Sequence, residues 1–291
     1  MKIAITGAGG LVGSHLAQHL AAEHEVMALA RRDLDITDQA AVKGLMRRER
    51  PAVIINCAVL NVDECECGPS QAEAINVAGP RALAEAAEEL KAEIIHFSTN
   101  YVFDGERQTR LPYTIEDETR PINVYGRTKL DGEREVRKLC RRASIIRTAW
   151  VFGHGKENFL STVHRHLLAG ARLRAINDIW SNTTYVADLA TRTIELLTRR
   201  HYATYQVVNT GLCSYYDFAL EAARLVGVGQ AETERLIEVV KEADLKRAAP
   251  RPRYTGLRCL VSEELGLPPM RDWRAALADY IRADRGLETH G

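Results

Sequence analysis

Residues 1–13 read MKIAITGAGGLVG: a short apolar run, a glycine-rich turn, then the first residues of a segment with helical apolar spacing. The glycines fall at Gly7-x-x-Gly10-x-x-Gly13. At a strand–turn–helix junction each has a mechanical task. Gly7 permits the tight turn, Gly10 lets backbone N–H groups approach a pyrophosphate, and Gly13 lets the helix lie close on the sheet. The helix N-terminus beyond them, with Leu11 and Val12 in its first turn, offers unpaired amides and the positive end of a dipole to an anion. The stretch therefore predicts a dinucleotide site in an α/β protein.

The following chain keeps the same rhythm. EVMALA (25–30), AVIINCA (52–58), AEIIHFST (92–99) and RASIIRTAWVFG (142–153) read as strands. LVGSHLAQHLAAE, AAVKGLMRRER, AEAINVAGPRALAEAAEEL and VYGRTKLDGEREVRKLC read as the helices between them, the second ended by Pro51. Near-continuous apolar strands alternating with helices indicate a parallel sheet covered on both faces, doubly wound in the Rossmann manner. After about residue 153 the rhythm loosens. Helices are expected in ENFLSTVHRHLLAG, TYVADLATRTIELLTRR and YYDFALEAARLVG, a strand in TYQVVNTG, and a helix with a frayed tail in ADYIRADRGLETHG. We expect a nucleotide-binding domain over 1–153 and a smaller lobe over 154–291, with segments between about 175 and 212 returning to the main sheet.

Composition excludes several classes. Lys+Arg and Asp+Glu are both 39, a formal net charge of zero, which argues against a nucleic-acid binder. No run of about 18 apolar residues exists, so no membrane-spanning helix is expected. The N-terminus lacks signal-peptide anatomy. Six scattered cysteines without paired CxxC motifs point to reduced thiols in a cytoplasmic enzyme with no metal, although ECEC (64–67) could hold a soft one.

The end of the second strand should read the adenosine ribose. ALARRD places Arg31 and Arg32 there instead of the acid that binds a 2′-hydroxyl, and arginine suits a 2′-phosphate. NADP(H) is expected, with NAD(H) possible. Asp35 and Ile36, in DLDITD, are placed to flank the adenine, or to cap the next helix. A nicotinamide cofactor in turn gives YGRTK (125–129) a purpose. Tyr125 and Lys129 lie one helical turn apart, and a phenol of pKa about 10 becomes a usable acid beside an ammonium. Ser98 and Thr99, at the carboxyl end of a strand, could hold a carbonyl oxygen.

These features together with STNYVFDG (98–105) and RTAWVFG (147–153) resemble the extended short-chain dehydrogenase/reductase superfamily, and within it the dTDP-4-dehydrorhamnose reductase family. The likeness runs to about residue 282 and takes in LDITD, AINDIWSN (175–182), the YYDFA helix and PRPRYTGL (250–257). It implies reduction of a nucleotide-linked 4-keto-6-deoxysugar. A monomer or homodimer is expected, with no sequence feature choosing between them. The likeness also implies Thr99, Tyr125 and Lys129 as the catalytic set, with Tyr125 the proton donor. Val59, Leu60, Asn61 and Phe97 would line the cofactor, and Thr99, Asn100 and Trp150 would touch the substrate. The chain departs from the family twice: STN replaces STD at 98–100, and DIWSNTT (178–184) replaces DQxGxPT. One alternative is a ketoreductase of another deoxysugar; another, from a different class, is a non-catalytic regulatory subunit, like the β subunit of methionine adenosyltransferase. The complete Thr99/Tyr125/Lys129 set argues against that reading.

Overall fold

The computed structural model describes residues 1–107, 109 and 111–288. The expected tail at 289–291 lies outside them. Six parallel strands form the central sheet: β1 (Lys2–Thr6), β2 (Glu25–Leu29), β3 (Val53–Asn56), β4 (Glu93–Thr99), β5 (Ala143–Thr148) and β9 (Thr204–Gln206). Their order is β2-β1-β3-β4-β5-β9. The chain leaves β1 toward β2, then returns to β1's other side with β3. Strand order reverses there, and in open α/β sheets ligands bind outside the strand carboxyl ends at such a point. The glycine turn follows β1 and Cys57–Asn61 follows β3, so both border this crevice.

Helices α1 (Leu11–Leu20), α2 (Gln39–Glu49), α5 (Gly79–Leu90), α6 (Val124–Leu139) and α8 (Val186–Arg199) connect these strands. One apolar core joins β1, β3 and β4 to α2, α5 and α6 on one face of the sheet, and a second joins α1 and α8 on the other. Short helices α3 (Val62–Cys67) and α4 (Pro69–Glu73) precede α5.

A third core belongs to the later elements. It packs α7 (Phe159–Leu168), α9 (Tyr215–Val226) and α12 (Trp273–Glu288) with the ribbon of β6 (Val151–Phe152) and β8 (Thr184–Tyr185). A second ribbon pairs β7 (Leu173–Ile176) with β10 (Ile237–Val240). Helices α10 (Gln230–Leu236) and α11 (Leu260–Glu264) complete the chain. Among the described residues no helix is long and apolar enough to cross a membrane.

Of the elements that differ from the sequence reading, two shape the site. RASIIRTAWVFG is not one strand: β5 stops at Thr148 and β6 resumes at Val151 in another sheet. Trp150 between them has φ +41, a left-handed conformation costly for a bulky side chain and typical of functional sites. The long helix of residues 72–90 contains a π-helical turn over Ala74–Ala78. Its extra residue aims the buried Asn76 amide across the helix packing. There it accepts from the Leu60 N–H at 3.2 Å and donates to Thr128 Oγ1 at 3.1 Å.

Candidate active site

The glycine turn is built as a cradle. A Cβ on Gly7 would lie 2.5 Å from the Ala58 amide nitrogen, and one on Gly13 would lie 2.5 Å from the Gly7 carbonyl oxygen. Gly7 also has φ +71, so no other residue fits without strain. Gly10 is the N-cap of α1 and supplies no side-chain cap, leaving the amides of Leu11 and Val12 to a ligand. The Leu11 side chain itself enters the third core, while Val12 packs against α1's own core.

A cavity of about 470 Å³ opens in front of this cradle. Arg31, Asp35, Ile36, Val59 and Leu60 line it, as do Gly7 and Gly10. Arg31 is 3.5 Å from Asp35 and remains largely exposed. Asp35 accepts from the Thr37 N–H and hydroxyl, which hold its carboxyl below the usual carboxylate range. Arg32 does not line the cavity; its side chain points into solvent beside Asp33. Asn61 is likewise occupied elsewhere, as the N-cap of α3 in a capping box with Glu64. Lys156 reaches the same cavity from the loop after β6, a cation that sequence reading missed because its segment belongs to a distant part of the chain. These features fit a dinucleotide, with the glycine cradle and first-turn amides at its pyrophosphate.

Across residues 59–64, the entry and first turn of α3, lies a second cavity of about 300 Å³, lined by Thr99, Asn100, Tyr125 and Trp150. It is also lined by Tyr101 and Tyr215, aromatic neighbours not anticipated from sequence. Tyr125 stands in the first turn of α6, whose N-cap Asn123 accepts from the Gly126 N–H at 2.7 Å. Gly126 is required there, since a Cβ would sit 2.1 Å from the Tyr101 carbonyl oxygen. Tyr101 meets the Tyr125 ring edge-on at 5.8 Å. Burial pushes the Tyr125 phenol up to about 12, with its hydrogen bond to Thr99 working the other way. Trp150 packs at a tilt on Tyr215, ring centroids 4.1 Å apart, and its indole also neighbours the Tyr101 phenol.

Lys129 is buried behind the two cavities, with Nζ donating to the Phe97 carbonyl at 2.6 Å. Phe97 serves here through its backbone; its ring is in the sheet core. Burial lowers the Lys129 amine to about 8, against the opposing pull of Glu133. Lys129 is not among the groups that shift the Tyr125 phenol in this arrangement; its amine is turned to the Phe97 carbonyl.

A row of polar groups supports Lys129 from the sheet. Thr6, Asn56 and His96 pair in register across β1, β3 and β4. Asn56 Oδ1 accepts from Thr6 Oγ1 at 2.8 Å and from the Ala58 N–H at 3.1 Å. Its Nδ2 therefore donates to His96 Nδ1, 3.0 Å away. Burial, and then the Lys129 charge, keeps His96 neutral. Its Nε2 is 3.5 Å from Lys129 Nζ. Individual strands read from sequence do not reveal this row, because register is a property of the assembled sheet.

The two family departures touch each other. Asn100 Nδ2 donates to Ser181 Oγ at 3.0 Å and to Thr255 Oγ1 at 2.7 Å. The amide that replaces a carboxylate thus binds the hydroxyl that the altered 178–184 loop supplies.

The family model described as the RmlD substrate binding domain matches residues 1–285. The chain belongs to this family. It is 39% identical over 295 residues to dTDP-4-dehydrorhamnose reductase of Mycolicibacterium smegmatis, covering 100% of this chain and 88% of that protein. Among solved structures, a dTDP-4-dehydrorhamnose reductase of Clostridium acetobutylicum superposes with a TM-score of 0.91. It shares 36% identity, over 98% of this chain and 100% of that one. The Bacillus anthracis enzyme of the same name, described in complex with NADP, gives a TM-score of 0.90 at 31% identity, over 97% and 99%. Membership in the RmlD family spans both cavities.

Proposed function

We propose that the protein is an NADP-dependent dTDP-4-dehydrorhamnose reductase, acting in the cytoplasm on the 4-keto group of a nucleotide-linked 6-deoxysugar. The observation that carries this reading is the pair of cavities on either side of residues 59–64, where the chain enters α3. One has a glycine cradle fit for a dinucleotide, and the other is lined by Thr99 and Tyr125. The named relatives point to the same chemistry and to the same cofactor class. The regulatory-subunit alternative has no comparable support.

A reduced nicotinamide dinucleotide, bound along the cradle, supplies a hydride. Arg31 would take the 2′-phosphate, Val59 and Leu60 would cover the crevice, and Lys129 would hold the nicotinamide ribose. Tyr125, as the neutral phenol that burial favours at neutral pH, donates its proton to the sugar oxygen. Thr99 hydrogen-bonds with the phenol and orients the same oxygen. Trp150 would offer its Nε1–H to the sugar nucleotide, and Asn100 carries the wall that the sugar faces.

Loss of NADPH absorbance across a panel of dTDP-linked ketosugars tests the reading. Turnover is expected with the 4-keto-6-deoxyhexose, with NADPH preferred over NADH. Tyr125→Phe should lower kcat by about 10²–10⁴-fold while still binding NADPH. Full turnover by that variant would end the proton-donor role.

A further inference from the structure

The polar row from Thr6 to His96 has a direction, and it ends at Lys129. A backbone amide can only donate, so the Ala58 N–H fixes which end of the Asn56 amide is the oxygen. The Thr6 hydroxyl donates to that same oxygen. Asn56 Nδ2 must then donate to His96 Nδ1, and a neutral imidazole that accepts at Nδ1 carries its proton on Nε2. Thr6, Asn56 and His96 are all fully buried, so bulk water does not compete for these roles.

His96 Nε2 faces Lys129 Nζ at 3.5 Å. Helix α6 comes this close because of Gly132: a Cβ there would lie 3.6 Å from His96 Nε2 and 2.1 Å from the Asn76 carbonyl oxygen. The lone pair of a neutral amine can accept from Nε2–H, whereas an ammonium meets that donor with another donor. Among the described residues the Phe97 carbonyl, at 2.6 Å, is the one acceptor for the three ammonium hydrogens. The titratable groups around the amine supply no second. Glu133, one turn further along α6, is committed to Arg147 of β5 and to Ser98 of β4. Burial keeps the thiols of Cys57, after β3, and Cys65, on α3, protonated, and keeps the Tyr125 phenol neutral.

We propose that Thr6, Asn56 and His96 make the charge on Lys129 depend on a bound ligand: they hold an N–H donor against the amine, and the missing acceptors come from the hydroxyls of the cofactor ribose. The three are positioning residues, acting through Lys129 and touching no reacting atom. Binding of the cofactor then draws a proton from solvent onto Lys129 Nζ. The proposal rests on the NADP-dependent reading above, and not on which sugar is reduced.

NMR of the free protein tests the row directly. The His96 ring nitrogens should report the Nε2–H tautomer from pH 6 to 9, and the ε-methylene of Lys129 should titrate well below a free lysine. Asn56→Asp reverses the row, because a carboxylate only accepts. It draws the imidazole proton to Nδ1 and leaves Nε2 to accept from the ammonium, so the Lys129 midpoint should rise by about one pH unit or more. Asn56→Leu adds no charge and should raise the midpoint less, with His96 no longer held in one tautomer. Calorimetry of NADPH binding at pH 8.5, above the range in which a phosphate monoester titrates, counts protons through buffers of different ionisation heat. Wild type should take up more than about half a proton, and Asn56→Asp far less. A wild-type His96 that is charged or protonated on Nδ1 overturns the proposal. So does a Lys129 midpoint unmoved in both variants, or NADPH binding without proton uptake. If both variants unfold, the wild-type tautomer and proton count still decide. None of these measurements needs turnover, so a wild type that reduces no ketosugar ends the reductase reading while the row is judged separately.

Discussion

Lys129 shows how burial decides a side chain's chemistry. Its ordinary value near 10.5 falls to about 8 inside the protein. Between those values the unfolded chain holds a proton that the folded chain has released, so stability from this group rises as pH rises from about 8 to 10.5. Below pH 8 both states are charged and the desolvation cost is fully present. Lys129→Met should remove that rise, which urea titrations at pH 7, 8.5 and 10 would show as a flatter profile than the wild type's. An unchanged slope would mean that the amine is not desolvated as described. Tyr125 acts in the opposite sense: its value of about 12 makes the folded state lose stability only above pH 10.

The element that matters most is α6. Tyr125, Lys129 and Glu133 recur every four residues along one face, so a single helix presents proton donor, amine and anchor together. Glu133 is the anchor. It takes Arg147 of β5 through Nε at 2.9 Å and Nη2 at 2.7 Å, and it also accepts from Ser98 of β4. Both charges are nearly inaccessible. Breaking such a pair from one side leaves the other charge buried, at a cost on the order of 3–5 kcal/mol. Glu133→Gln should lower stability by about that amount in a denaturant melt, and kcat should fall through misplacement of α6. A loss below about 1 kcal/mol would show that Arg147 finds another partner.

At the scale of the molecule, the last helix closes the C-terminal core. Trp273, Leu277 and Tyr280 of α12 are fully buried, and Tyr280 donates to the Ser161 carbonyl of α7 at 2.8 Å. Asp284 seals the same contact, binding His164 Nε2 at 2.8 Å, His154 Nδ1 at 2.9 Å and the Arg165 guanidinium. Burial alone would raise this carboxyl, but Arg165 and His164 hold it down at about 2. Its folded value is depressed, so its contribution is complete above about pH 4 and fades as pH drops toward 2. Asp284→Asn should cost about 3 kcal/mol at neutral pH, and the variant's acid melt should be less steep than the wild type's. Equal acid sensitivity of the two proteins would remove Asp284 from that role.

Local chemistry made much of this protein legible from its sequence. A strand entering Gly7-x-x-Gly10-x-x-Gly13, the alternation of apolar runs with amphipathic segments, and the four-residue spacing of Tyr125 and Lys129 depend on neighbours in the chain. Periodicity records such neighbours. Contacts between remote segments left no comparable trace. Arg251 and Asp63 are 188 positions apart, and Asn100 meets Thr255 across 155. The kink at Trp150, the row from Thr6 to His96 and the turning of Lys129 toward the Phe97 carbonyl also arose only on assembly. Register, burial and the nearest available acceptor are set by the packed structure, and they decide which donors are already used and which stay open to a substrate.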